Sequence, residues 1–190
     1  MIRMDLFVYV EGADDERMVN HVIKKCHKQF DPTIIQFSSM RLKDTIESLE
    51  KHTLANDLFV VLIDSDRAPS VDALKIEWAA RRRIDKNHVA VAVSSIESWY
   101  VSGSTSARIN RLFEDTPSDR IHKSRFDRVV KPEMGHRRAL VMALDGFDTD
   151  KAARKSESFA HFYRGLESIA RGLPAGPDKG GSRARRRRSP

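Results

Sequence analysis

One stretch constrains this chain more than any other: Leu58 to Asp66, Leu-Phe-Val-Val-Leu-Ile-Asp-Ser-Asp. Six apolar residues run without a break; Val60, Val61 and Ile63 are β-branched and Phe59 is aromatic. Such a run reads as a strand buried on both faces, as in a parallel sheet covered by helices. It ends on two carboxylates, Asp64 and Asp66, one residue apart. Alternate side chains at a strand end point to the same side, so both can reach one cation. Ligands of parallel α/β sheets bind beyond the carboxyl ends of the strands. Taken alone, the pair is equally a turn-capping Asp64 and a solvated Asp66.

The surrounding pattern extends the reading. Asp5 to Val10 is an alternating strand that ends at Glu11-Gly12. A helix is predicted from about Asp14 to Phe30, with Met18, Val19, Val22, Ile23, Cys26 and Phe30 at helical spacing. Thr33 to Phe37 is a second strand, and Leu42 to Leu54 a second helix with Leu42, Ile46, Leu49 and Leu54 inward. After the central strand, Ser70 to Arg83 is a third helix, N-capped by Ser70, with Val71, Leu74 and Trp78 on one face. His88 to Val93 is a fourth strand. Strands alternating with helices argue for an α/β, doubly wound, mainly parallel sheet of Rossmann-like type. The ends of three strands, at Glu11, at Asp64 with Asp66, and at Ser94-Ser95 with Glu97, then fall on one edge of the sheet.

Beyond Glu97 only helical periods are visible: from Ile96, Ile109 to Phe113, Ser118 to Val130, His136 to Leu144 and Ser156 to Arg171. Residues 1–102 are expected to form the α/β core, 103–171 a helical extension packed on it, and 172–190 a disordered Arg-rich tail. The net charge is +7, and residues 178–190 carry +5 of it, so the body is nearly balanced. No apolar run approaches the roughly 18 residues of a membrane span. The N-terminus shows no signal peptide, and the single cysteine, Cys26, excludes an internal disulfide. A cytoplasmic location is the expectation.

The constellation resembles the TOPRIM domain, the metal-binding module of topoisomerases, primases and overcoming-lysogenization-defect (OLD) nucleases. The matching residues are Val8-Tyr9-Val10-Glu11-Gly12 followed by Asp15, and Val61-Leu62-Ile63-Asp64-Ser65-Asp66. Ser95-Ile96-Glu97-Ser98-Trp99-Tyr100 and Lys155-Ser156-Glu157-Ser158-Phe159-Ala160-His161-Phe162 are similar to small stand-alone TOPRIM-like proteins of the DUF4276 family. The match spans about residues 4–170.

The resemblance implies a site for Mg2+ or Mn2+ in which Glu11, Asp64 and Asp66 are the catalytic, metal-binding acids. Asp15, four residues after Glu11, and Glu97 are further candidate ligands. Mg2+ is a hard ion that takes few carboxylates, keeps waters and bridges to phosphate. Asp14, Asp15 and Glu16 also suit the positive end of a helix dipole whether or not they meet a metal. His136 and His161 are most simply surface or core residues, Trp99 core, and Ser156 and Ser158 helix caps. Arg81, Arg82 and Arg83, with Arg185, Arg186, Arg187 and Arg188 of the tail, are candidate contacts to nucleic acid, against the ordinary reading of solvated charge.

The implied activity is metal-dependent nuclease or related phosphoryl-transfer chemistry on DNA or RNA, in phage or mobile-element defence. Two alternatives stand beside it: a non-catalytic regulator that binds a partner protein, and an Asp-x-Asp phosphatase. The resemblance also implies a catalytic Lys or Arg and allows for a partner ATPase.

Overall fold

The computed structural model describes residues 3–65 and 70–171. Four strands alternate with helices through the first half of the chain: β1 (Met4–Val10), α1 (Ala13–Cys26), β2 (Phe30–Gln36), α2 (Leu42–Ala55), β3 (Phe59–Asp64), α3 (Val71–Arg82) and β4 (Val89–Ala92). All pairings are parallel, in the order β2-β1-β3-β4. The pleat sorts the side chains. Leu6, Val8, Val10, Val60 and Leu62 face one layer with Met18, Val22 and Ile23 of α1. Tyr9, Phe59, Val61, Ile63 and Val91 face the other with Leu49 of α2 and Ala79 of α3. The sheet is thus covered on both faces, which is why β3 carries no polar residue before its end.

The chain runs from β1 to β2 on one side and then crosses back to β3 and β4 on the other. The reversal lies between β1 and β3, the topological switch point at which ligands bind in open α/β sheets. Glu11 and Asp64 stand at the carboxyl ends of these two strands.

The second half is helical: α4 (Ile96–Gly103), α5 (Ala107–Leu112), α6 (Lys123–Val130), α7 (His136–Leu144), α8 (Thr149–Lys155) and α9 (Glu157–Ala170). These helices share one apolar core with the α1 face of the sheet, centred on Trp99, Phe126, Phe147 and Phe159. The Trp99 indole N–H donates to Ser158 Oγ at 2.9 Å, and the same oxygen accepts from the Val93 N–H at 3.2 Å. Ser158 therefore ties α9 to the end of β4 and to α4. It is not a helix cap; the cap is Ser156, which accepts from the Phe159 N–H.

Several local expectations change. The first helix stops at Cys26, and Phe30 opens β2, because its ring is buried against the sheet rather than carried round the helix. Leu54 is 88% exposed and Leu42 56%, so α2 is inward through Thr45, Leu49 and His52 instead. Val71 is exposed, and α3 packs through Leu74, Trp78 and Ala79 instead. The predicted helix from Ser118 splits into a single 3-10 turn at Ser118–Arg120 and α6. The helix α8 carries no apolar period long enough to announce itself. Ser70 caps α3 as expected, accepting from the Ala73 N–H. Among the described residues no helix is long and apolar enough to cross a membrane.

Candidate metal centre

The Asp64 backbone N–H donates to Glu11 Oε1 at 3.1 Å, which fastens the end of β3 to the residue after β1. Gly12 and Asp15 then start α1 together. The Gly12 N–H donates to Asp15 Oδ2 at 2.9 Å, a one-way bond that holds the Asp15 side chain over the helix start. Asp15 is thereby both a cap and a buried carboxylate, 6% exposed. Burial pushes its pKa up, the Gly12 N–H opposes this, and the negative charges of Glu11 and Glu97 add to the rise, to about 6. Asp15, Glu11 and Glu97 therefore share one electrostatic neighbourhood.

Glu97 arrives by a different route. The chain leaves β4 through a three-residue γ-turn in which the Ser95 N–H donates to the Val93 carbonyl around Ser94, whose φ is 67°. A positive φ in a non-glycine residue is strained and needs support. The support is the Ser65 hydroxyl, which accepts from the Ser94 N–H at 2.8 Å, and the Asp119 carbonyl, which accepts from Ser94 Oγ. Ser94 and Ser95 are not side-chain caps of α4; Ser95 Oγ donates to the Ile121 carbonyl. The turn delivers Glu97 in the first turn of α4 at 1% exposure, with Oε2 lacking any hydrogen-bond partner among the described residues.

Asp14, the sequence neighbour of candidate ligand Asp15, and His136, expected as a surface or core residue, join this cluster. His136, at the start of α7, bonds through Nε2 to Asp14 Oδ2 at 2.9 Å and through Nδ1 to Asp127 Oδ1 at 2.6 Å. Burial alone would lower its pKa, and the two carboxylate hydrogen bonds reverse this into a net rise. Burial works against ionised Asp14, and His136 with Arg17 overcomes it, so its carboxyl lies below the usual range. One ligand atom each from Asp14, Glu97 and His136 lies within 4.8 Å of the others. This cluster can hold a metal ion. The donors suit one: an imidazole and two carboxylates, one of which, Glu97, has a buried oxygen with no donor to satisfy it among the described residues.

The remaining sequence candidates are dispersed. Asp66 lies outside the described residues, as do Arg185, Arg186, Arg187, Arg188 and the whole of 172–190. Arg81, Arg82 and Arg83 do not form one patch. Arg81 pairs with Glu77 at 2.6 Å and Arg83 with Glu50 at 3.3 Å, both exposed. Arg82 turns the other way, its guanidinium 3.7 Å from the centre of the Trp78 ring. There it lies close enough to Glu11 for that carboxylate to raise its pKa, although burial and Arg81 pull the net value down. His161 faces Glu157 on the surface of α9. A groove of about 630 Å³ along α1 begins beside the acids, at Ala13, and presents Arg17, His21, Lys24 and Lys25.

The link from His136 to Asp14 spans 122 residues and carries no local pattern, so no spacing rule could have found it. Comparison with family models, with curated proteins and with solved structures finds no match for this chain.

Proposed function

We propose that the protein is a metal-dependent phosphoryl-transfer enzyme of TOPRIM-like type that acts on nucleic acid, with Mg2+ or Mn2+ as its ion. The observation that carries this reading is the convergence of Glu11, Asp15, Asp64 and Glu97 at the switch point of a parallel sheet. So many carboxylates in one place repel one another unless a cation is held between them.

Glu11 and Asp64, with Asp66 by resemblance, would hold the ion, and Asp15 lies in electrostatic reach of both Glu11 and Glu97. Bound there, a divalent ion supplies charge to polarise a phosphoryl oxygen and lowers the pKa of an attacking water. The protein's own part is positioning. The Asp64 N–H holds the Glu11 carboxylate in one orientation, and the Gly12 N–H does the same for Asp15. Arg82, its guanidinium 3.7 Å from the centre of the Trp78 ring, is a cation in electrostatic reach of Glu11 that could balance charge developing on a phosphate. The basic groove along α1 offers a track for a polyanionic backbone that approaches the acids from the side.

The test is incubation of the purified chain with mixed DNA and RNA, with and without Mg2+ or Mn2+, beside Asp64→Asn and Glu11→Gln. Metal-dependent cleavage that both substitutions abolish is the expected result. Cleavage that persists unchanged in both would remove these acids from the chemistry. No cleavage by the wild type with any metal would instead favour a regulatory protein that keeps the fold.

A further inference from the structure

We propose that Asp14, Glu97 and His136 form a second, adjoining site for a divalent transition ion such as Zn2+ or Co2+. Three observations carry it. The ligand atoms converge to within 4.8 Å although they come from the first turns of three different helices, α1, α4 and α7. Glu97 is almost wholly buried and Oε2 has no hydrogen-bond partner among the described residues, a condition that an isolated structural carboxylate does not tolerate well. The third observation is the shell behind the histidine. Asp127 Oδ1 lies 2.6 Å from His136 Nδ1, and Asp127 is itself held by Lys131 at 2.9 Å. A carboxylate that accepts from one ring nitrogen directs the lone pair of the other outward, which is the arrangement found behind metal-bound imidazoles. Here the outward nitrogen, Nε2, faces Asp14.

The donor set chooses the class of ion. Mg2+ and Ca2+ take oxygen ligands almost exclusively. An imidazole with two carboxylates favours Mn2+, Fe2+, Co2+ or Zn2+, with affinity rising along that series to Zn2+ and its neighbours. Glu97 belongs to this cluster and also acts electrostatically on Asp15, so the two sites adjoin. The binding claim does not depend on nucleic-acid cleavage, and it holds or fails without any substrate present.

Zn2+ and Co2+ are titrated into the metal-free full-length chain by calorimetry, with no nucleic acid, beside His136→Ala and Asp127→Asn. One equivalent is expected to bind to the wild type. His136→Ala should weaken it at least tenfold, and Asp127→Asn, which leaves all three ligands in place, about tenfold. The rise in melting temperature with Mg2+ should survive in both variants. The second readout needs no substitution: paramagnetic Co2+ should broaden the His136 ring resonances before those of the other histidines. Zn2+ affinity unchanged in both variants overturns the proposal, as does Co2+ broadening that spares His136.

Discussion

Glu11 and Asp64 are 53 positions apart in the chain, yet the N–H of one donates to the carboxylate of the other at 3.1 Å. The bond bridges the reversal in strand order, between two neighbouring strands whose connections depart toward opposite edges of the sheet. It sets the orientation of Glu11 before any ligand arrives. The acids that follow β1 and β3 are consequently held by backbone that the buried sheet makes rigid, which is what a site dependent on carboxylate placement needs.

The first prediction concerns acidity. The Asp15 carboxyl is pushed from 3.8 to about 6 by burial and by Glu11 and Glu97. Between these two values the native state therefore holds a proton that the unfolded chain has released. The stabilising contribution is complete below pH 3.8 and is lost as pH rises through about 6. Its size is on the order of 3 kcal/mol. Metal-free protein followed by urea unfolding between pH 4 and 7 should show this decline over and above its other titrations. Asp15→Asn should be the more stable protein at pH 7 and should lose that part of the slope. A variant less stable than wild type at pH 7 would mean that the cap to Gly12 outweighs the repulsion.

A second prediction follows from the same charges. Mg2+ or Mn2+ should raise the melting temperature of the wild type at pH 7.5, since a ligand at a hundred times its Kd adds about 2.7 kcal/mol by mass action. Glu97→Gln removes one buried charge and keeps the volume. Without metal it should melt higher than wild type, and with metal it should gain less. Identical metal responses in the two proteins would place the ion elsewhere.

Packing around α4 supplies a third. A Cβ on Gly103 would lie 2.3 Å from both Cε2 and Cζ of Phe147. That ring is fully buried and packs edge-on to Phe159 and His21, so it has nowhere to turn. Gly103→Ala should cost roughly 1–3 kcal/mol, the usual range for overpacking. At about 2–4 °C per kcal/mol for a chain of this size, the loss is several degrees in Tm. An unchanged Tm by differential scanning calorimetry would show that the layer yields more easily than its burial implies.

The last prediction concerns residues 172–190, which lie outside the described residues and hold most of the net charge of +7. Each phosphate neutralised contributes about −0.7 to −0.9 to the slope of log K against log salt. Removing everything after Arg171 should weaken nucleic-acid binding and flatten that slope by up to roughly 4 to 5. Equal affinity and equal slope with and without the segment would assign binding to the body, with the α1 groove of Arg17, Lys24 and Lys25 as the first place to look.

Much of the fold was legible because its determinants are local. An unbroken apolar run at 58–63, alternation at 5–10 and helical spacing at 18–23 each report a burial environment that a short segment meets by itself, and together they require helices on both faces of a parallel sheet. The topology rule then places Glu11, Asp64 and Glu97 on one edge without any coordinates. What tertiary structure alone decided was which groups meet there. Asp14 looked like any acid in a first helical turn, and His136 like any histidine, until folding brought Nε2 within 2.9 Å of Asp14. Likewise Arg81, Arg82 and Arg83 are equivalent as a run, but Arg81 and Arg82 point about 100° apart on α3 and Arg83 leaves the helix with left-handed backbone, so Arg82 is the one that turns onto Trp78. Periodicity records whether a side chain is buried; it carries no information about which partner, a hundred residues away, it will be buried against.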